Sequence, residues 1–287
     1  MTAGYQGATA ESIRHHYDVS NDFFALWLDR NRTYTCALWG EGDTLESAQQ
    51  RKLDFLAEGA KATGAKRVLD VGCGWGSLLK NLVERHEVGH AVGLTLSDSQ
   101  AERVRELDLP RSEVRVENWR DHKPEEPYDA IISIGAFEHF ARMGLSRDER
   151  VAAYREFFEH CRRWLPTGGR LALQTITKGN NNRMNKETVR DLMFIIDHIF
   201  PESEIPALSE AIEGSEKRFE VVSLRNDPDH YSRTCQEWLD RLRKNRAAAV
   251  ESAGEANTAN YERYLNASVG HFRNRHLGLS RIIFEAV

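Results

Sequence analysis

The sequence predicts an α/β fold built on a mainly parallel sheet of seven strands with helices on both faces. Three observations predict it. Between residues 67 and 176, apolar runs of strand length alternate with longer stretches whose apolar residues recur at helical spacing. Those runs are short and nearly continuous in Val, Ile, Leu and Ala, as strands covered on both faces must be. The first of them ends in a cluster of glycines directly before a helical stretch.

Taken in order, residues 8–30 read as helical, with Ile13, Tyr17, Phe24, Leu26 and Trp27 supplying apolar surface around a polar Ser20-Asn21-Asp22 start signal. A turn-like Thr33-Tyr34-Thr35-Cys36 stretch follows. Leu45 to Ala62 carries apolar residues at helical spacing and ends near Gly64. Arg67 to Val71 is a strand, Leu78 to Arg85 a helix, Ala91 to Leu96 a strand and Asp98 to Leu107 a helix. Val114 to Val116 and Ala130 to Ile134 are strands, Val151 to Trp164 a helix, and Arg170 to Ile176 the fifth strand. Thr188 to Phe200 and Leu208 to Ile212 read as helices around Pro201 and Pro206, too long an excursion for a plain connection. Phe219 to Leu224 and Gly278 to Phe284 supply the last two strands, paired antiparallel at the sheet edge. A helix from Cys235 to about Ala253 would run over the outside of the sheet. The chain divides into an N-terminal helical cap (1–62), a core with the glycine loop (63–177), a lid insertion (178–218) and the C-terminal part of the core (219–287).

The 287 residues fit one large α/β domain, or one domain with a substantial insertion. A formal net charge of −5 argues against a dedicated nucleic-acid binder. The longest apolar runs fall far short of the roughly 20 residues that span a bilayer, so no stable membrane insertion is expected. Met1 to Glu11 has no basic start and no apolar run, which points to a cytoplasmic protein. Cys36, Cys73, Cys161 and Cys235 are widely separated, and His15 and His16 are adjacent rather than spaced as ligands. No metal is expected.

Gly72, Gly74 and Gly76 follow one strand and precede one helix, where glycine lets the backbone turn sharply and a ligand lie against bare peptide N–H groups. A dinucleotide fingerprint would place its third glycine at position 77, which is Ser77. The G-x-G-x-G spacing, with Asp70 two residues upstream, instead resembles the first motif of class I methyltransferases. The second strand ends Gly93-Leu94-Thr95-Leu96-Ser97, without the carboxylate that usually holds ribose hydroxyls.

Further segments converge. His16-Tyr17-Asp18-Val19-Ser20-Asn21-Asp22-Phe23-Phe24, Thr33-Tyr34-Thr35-Cys36-Ala37, the glycine loop, Gly93 to Ser97 with Gln100, and Gly135-Ala136-Phe137-Glu138-His139-Phe140 belong to this set. So do Phe200-Pro201 with Ile205-Pro206, His230-Tyr231-x-Arg233-Thr234 with Trp238, and the C-terminal Tyr261, Tyr264-Leu265 and Phe272-Arg273. Together they resemble the cyclopropane fatty acid synthases and mycolic acid cyclopropane synthases across nearly the whole chain. That family uses Thr and Gln at the second strand, so the missing acid is no objection. The same scaffold is shared by plant alkaloid N-methyltransferases and some C-methyltransferases of terpenoids.

The resemblance implies the class I methyltransferase fold, Rossmann-like, and S-adenosylmethionine as cofactor. It places cofactor contacts at Tyr34, Thr35, Asp70, Gly72, Gly74, Gly76, Thr95, Leu96, Gln100, Trp119 and Ile134. Trp119 can stack beside the adenine or simply fill the core. Methyl transfer to an alkene leaves a carbocation, which needs aromatic faces and a base. Tyr17, Tyr34, Phe137, Phe200 and Tyr231 are candidate faces, with core packing as the plain alternative for each.

In the cyclopropane synthases a bicarbonate takes the proton. Its cradle maps onto the backbones of Cys36 and Ile134 and the side chains of Glu138 and Tyr231. The family's remaining ligand is a histidine, where this chain has Gln174, which cannot titrate near neutrality. That counts against bicarbonate and leaves Glu138 as base, its pKa raised by an apolar pocket. The alternative for Glu138 is a helix cap or an arginine partner.

The expected function is C-methylation of an alkene on a lipophilic small molecule, such as a prenyl chain of a secondary metabolite. Gln174, and Glu202-Ser203 in place of the Gly-Gly of lipid-active relatives, favour it. The alternatives are cyclopropanation or methyl branching of an unsaturated acyl chain, N-methylation, and a non-catalytic cofactor-binding protein. A homo-oligomer is compatible with an N-terminal helix that can cover its own site or a neighbour's.

Overall fold

The computed structural model describes residues 7–9 and 21–287. Seven strands form one sheet: β1 (Arg67–Val71), β2 (His90–Thr95), β3 (Ser112–Val116), β4 (Ala130–Ile134), β5 (Arg170–Lys178), β6 (Phe219–Asn226) and β7 (Leu277–Ala286). Their order is β3-β2-β1-β4-β5-β7-β6, and β7 runs antiparallel to both its neighbours. The mainly parallel sheet and the antiparallel edge are thus as expected.

Alternate residues of each strand enter opposite layers, because successive side chains in a strand point to opposite faces. Leu69, Val71, Ile131, Leu171 and Leu173 pack with Phe157, Phe158 and Trp164 of α5 (Arg147–Trp164). Val68, Ala130, Ile132 and Ala172 pack with Leu53 and Leu56 of α2 (Leu45–Gly59) and Leu79 and Leu82 of α3 (Ser77–Glu84). Val104 of α4 (Asp98–Glu106) joins that second layer. α5 starts four residues before the predicted Val151, since Ser146 and Glu149 exchange hydrogen bonds as a capping box.

The N-terminal expectation is corrected. Among the described residues of 8–30, the helix is the short α1 (Asn21–Ala25). The Asp29 carboxylate accepts the N–H groups of Asn31 at 3.1 Å and Thr33 at 2.6 Å and closes the chain into a turn. Tyr17 and the His15–His16 pair lie outside the described residues.

The excursion contains α6 (Lys186–His198) and α7 (Leu208–Ser215). α7 packs on α5 as part of a sheet face, whereas α6 packs on a helical layer further on. The single helix expected from Cys235 to Ala253 is instead two, α8 (Pro228–Lys244) and α9 (Arg246–Ala253), and a further helix not expected from the sequence, α10 (Glu255–Arg273), follows them. Asn245 ends the first by turning its amide onto the Leu26 carbonyl at 2.7 Å, and Gly254, at φ 83°, ends the second. These helices lie mainly against one another, α6 and α1. Phe23, Phe24 and Trp27 meet Trp238, Leu239 and Tyr261 in a third apolar cluster, because aromatic surface this large must be covered.

Candidate active site

The sheet changes direction of growth at β1, which has β2 on one side and β4 on the other. At such a switch point the loops leaving the strand ends diverge and leave a crevice. A cavity lies there. Asp70, Val71, Gly72, Cys73 and Gly74 line it from β1 and its loop; Thr95, Leu96 and Gln100 line it from β2 and α4. Asn118 and Trp119 close it after β3, Ile134, Gly135 and Ala136 after β4, and Tyr34 and Thr35 from above.

The glycines do different jobs. At Gly72, with φ 85°, an added Cβ would lie 2.5 Å from the Ala136 Cβ, so the β1 and β4 loops can touch there only without a side chain. At Gly74, with φ 53°, nothing lies within 4 Å, so its backbone opens onto the cavity. Gly76 is not in the lining. It caps α3 at φ 84° and abuts Val104, which makes its role the turn rather than a ligand contact.

At the β2 end, the Thr95 hydroxyl donates to Gln100 Oε1 at 2.8 Å, and both side chains line the cavity. Trp119 fills the core and also faces the cavity. Its ring packs on Phe140 at 5.2 Å and Phe157 at 5.5 Å, and its indole Nε1 is buried without a partner among the described residues. A ligand acceptor would complete that donor.

Two residues unmarked in the sequence hold the opposite end. From α2, Gln49 Nε2 donates to the carbonyls of Thr33 at 3.2 Å and Thr35 at 2.7 Å, and Lys52 Nζ donates to Thr35 Oγ1 at 2.9 Å. Lys52 is fully buried in the cavity wall, and burial, with Arg281 adding to it, lowers its pKa to about 7. Burial raises Asp70 to about 7, with Lys52 opposing. The signal for Lys52 was its place on the apolar stripe of α2 with Ala48 and Leu56.

Behind the cavity lies the group expected to be catalytic. Glu138 sits in a short turn, Phe137–His139, that follows β4. Its Oε1 accepts the Ile176 N–H at 2.6 Å and its Oε2 is buried with no partner among the described residues. Among the described residues it neither caps a helix nor meets an arginine. Burial pushes it up to about 7, against the Ile176 hydrogen bond. Tyr231 stacks on Phe272 at 4.4 Å, near enough to Cys36 and Glu138 to feel their charge. Gln174 donates to the Cys36 carbonyl at 3.3 Å and accepts from Arg281, a fully buried residue not marked in the sequence. Phe137 is core: it stacks on Tyr154 at 4.5 Å within the sheet-face layer. Tyr34 reaches the Tyr264 hydroxyl at 3.2 Å, and Phe200 packs edge-on against Tyr264 at 5.6 Å.

The excursion is tied to this site. Ser203 Oγ and His139 Nδ1 share a hydrogen bond of 2.8 Å, and the Glu204 N–H donates to the Glu138 carbonyl at 3.1 Å. Glu202 adopts φ 64° where the resemblance places a glycine, and its carboxylate accepts from Thr9 N and Oγ1.

A doubly wound sheet with a glycine loop, a Thr–Gln pair at β2 and an aromatic-walled acid beside the cavity define a class I methyltransferase that uses S-adenosylmethionine. The chain belongs to the mycolic acid cyclopropane synthetase family, whose sequence pattern it matches over residues 6–282. It is 34% identical over 288 residues to cyclopropane mycolic acid synthase 3 of Mycobacterium tuberculosis, covering 96% of each chain. Among solved structures, the cyclopropane synthase MmaA2 from Mycobacterium tuberculosis superposes with a TM-score of 0.88 at 32% identity, over 98% of this chain and 99% of that one. Mycolic acid cyclopropane synthase CmaA1, complexed with SAH and CTAB, does so with 0.88 at 32%, over 97% and 99%. The unpartnered Trp119 indole and the open backbone at Gly74 fit the same cofactor here.

Proposed function

We propose that the protein methylates a carbon–carbon double bond of an unsaturated acyl chain and that Glu138 takes up the proton released. The relatives act, by their names, on mycolic acids, and this favours an acyl acceptor over the prenyl chain expected from the sequence. The observation that carries the reading is the Oε2 of Glu138, buried and without a partner among the described residues, between Ala136 and His139 of the cavity wall.

The cofactor supplies an electrophilic methyl group. The alkene π electrons form the new C–C bond as the S–CH₃ bond breaks, leaving positive charge on the neighbouring carbon. Tyr34, Tyr231, Tyr264 and Phe200 offer ring faces to that charge, each contributing about 0.5–2 kcal/mol. Loss of a proton from the new methyl closes a cyclopropane. Loss from the adjacent chain carbon leaves a methyl-branched alkene. Either proton passes to Glu138, whose elevated pKa suits the task.

Mass spectrometry of products from a panel of unsaturated acyl and prenylated acceptors tests this. A gain of one CH₂ on acyl substrates supports it, and the count of double bonds separates ring from branch. Methylation confined to prenylated acceptors or amines refutes it.

A further inference from the structure

The cavity crosses the strand ends in the order β3, β2, β1, β4. Glu117, Asn118 and Trp119 follow β3, and Thr95 and Gln100 serve β2; the one carboxylate there, Glu117, is engaged by His122 Nδ1 at 2.5 Å. The β1 end differs, since an acid and a base, Asp70 and Lys52, both line it and both are almost wholly buried, whereas Arg32, the other cation of the lining, is only partly buried. Asp70 and Asp29 act on Lys52 through their field, without a hydrogen bond. An ammonium has three N–H donors, and a buried charge without compensation is costly. S-adenosylmethionine carries opposite charges at one end: an α-ammonium and a carboxylate. A cationic and an anionic side chain facing one end of the cavity match that zwitterion.

We infer that Lys52 is a positioning residue for the cofactor carboxylate. Its Nζ donates to Thr35 Oγ1 at 2.9 Å, occupying a lone pair of that oxygen, so the Thr35 hydrogen turns into the cavity as a donor. Lys52 thereby orients the hydroxyl that meets the carboxylate and supplies the compensating charge behind it, while Asp70 faces the α-ammonium. Gln49 serves the same end by holding the Thr35 carbonyl at 2.7 Å, which fixes the segment on which the hydroxyl rides.

The test is calorimetric titration of the full chain with S-adenosylmethionine and with its decarboxylated analogue, which keeps the amine and lacks the carboxylate. The unaltered protein is expected to prefer the carboxylate-bearing ligand by about tenfold or more, as a charge-assisted hydrogen bond implies. Lys52→Met should weaken S-adenosylmethionine by about tenfold and change the analogue by less than about twofold. Equal weakening of both ligands, or an unchanged preference, overturns the inference. Should Lys52→Met fail to fold, Thr35→Val decides. It removes the hydroxyl alone, and retention of the full preference in that variant overturns the inference as well.

Discussion

Gln174 and Arg281 face one another in the β5–β7 ladder, and the Gln174 Oε1 accepts the Arg281 Nε–H at 2.8 Å. The other half of the amide donates to the Cys36 carbonyl, and Arg281 also donates to the Ala37 carbonyl at 3.0 Å and pairs with Asp227. Both ends of Gln174 are therefore used within the protein. The position where the family resemblance puts an anion-holding histidine is a fixed bridge between β7 and the segment above the cofactor cavity.

Turnover should not depend on bicarbonate. Rates in CO₂-free buffer and in buffer with added bicarbonate are expected to agree within about twofold, since Gln174 carries no charge and both ends of its amide are already held within the protein. Stimulation of tenfold or more would show that an anion binds despite the bridge.

Removing the guanidinium should be severe. Arg281→Leu leaves the buried Gln174 and Ala37 carbonyls without their donor, while Asp227 keeps Arg225, and a loss of about 1–3 kcal/mol for each unsatisfied group is usual for that. Denaturant unfolding of the variant measures it. A change below about 1 kcal/mol would mean that water compensates both groups.

Glu138→Gln should lower turnover by about 10²–10⁴-fold, the span typical of a lost general base, with S-adenosylmethionine affinity within about twofold. The two readouts come from a product assay and a ligand titration. Near-normal turnover would assign the proton to another acceptor.

The same carboxyl fixes a pH dependence. Burial raises Glu138 from its ordinary 4.5 to about 7 in the folded protein, so kcat/KM should climb through an acid limb near pH 7 as the base ionises. A folded pKa above the unfolded one means that the ionised form opposes folding. The penalty is complete above pH 7, shrinks as pH falls toward 4.5, and vanishes below it. Glu138→Gln is therefore expected to raise stability at pH 8 by about 3 kcal/mol and to leave it nearly unchanged at pH 4. Unfolding curves at the two pH values check the sign.

The glycine loop separates steric from ligand effects. Gly72→Ala drives a Cβ into Ala136 at a positive φ and should cost about 1–3 kcal/mol of stability, read by thermal unfolding. Gly74→Ala meets no neighbouring atom and should instead weaken cofactor binding. The reverse ranking would contradict the geometry.

Much of the fold was legible because its periodic signal is strong. β1 and β4 have the bounds that their apolar runs mark, since charged residues and glycines delimit them. α10 was missed because its first turns, with Asn257, Thr258 and Asn260, are poor helix formers; packing on α8 and α6 overrides that propensity. Glu138, Tyr34, Thr35 and Gln100 could be read from motifs that travel as contiguous strings. Lys52 and Arg281 could not. Each is a charged residue among apolar ones, and what holds it comes from far along the chain: Thr35 for the first, Asp227 and Ala37 for the second. Local pattern can put Lys52 on a buried stripe, but it supplies no partner for the charge.

β7 follows every other described element in sequence, yet it sits inside the sheet between β5 and β6. β5 and β6 share no ladder of their own, so β7 stitches the sheet shut rather than extending it. Folding must hold a slot open across some fifty intervening residues until that strand arrives, a contact of high sequence separation and slow closure. The strand that fills the slot also carries Arg281. Registry of the sheet and assembly of the bridge to Cys36 are then one event, and a protein caught before it would show an intact β1–β4 half with no finished catalytic side.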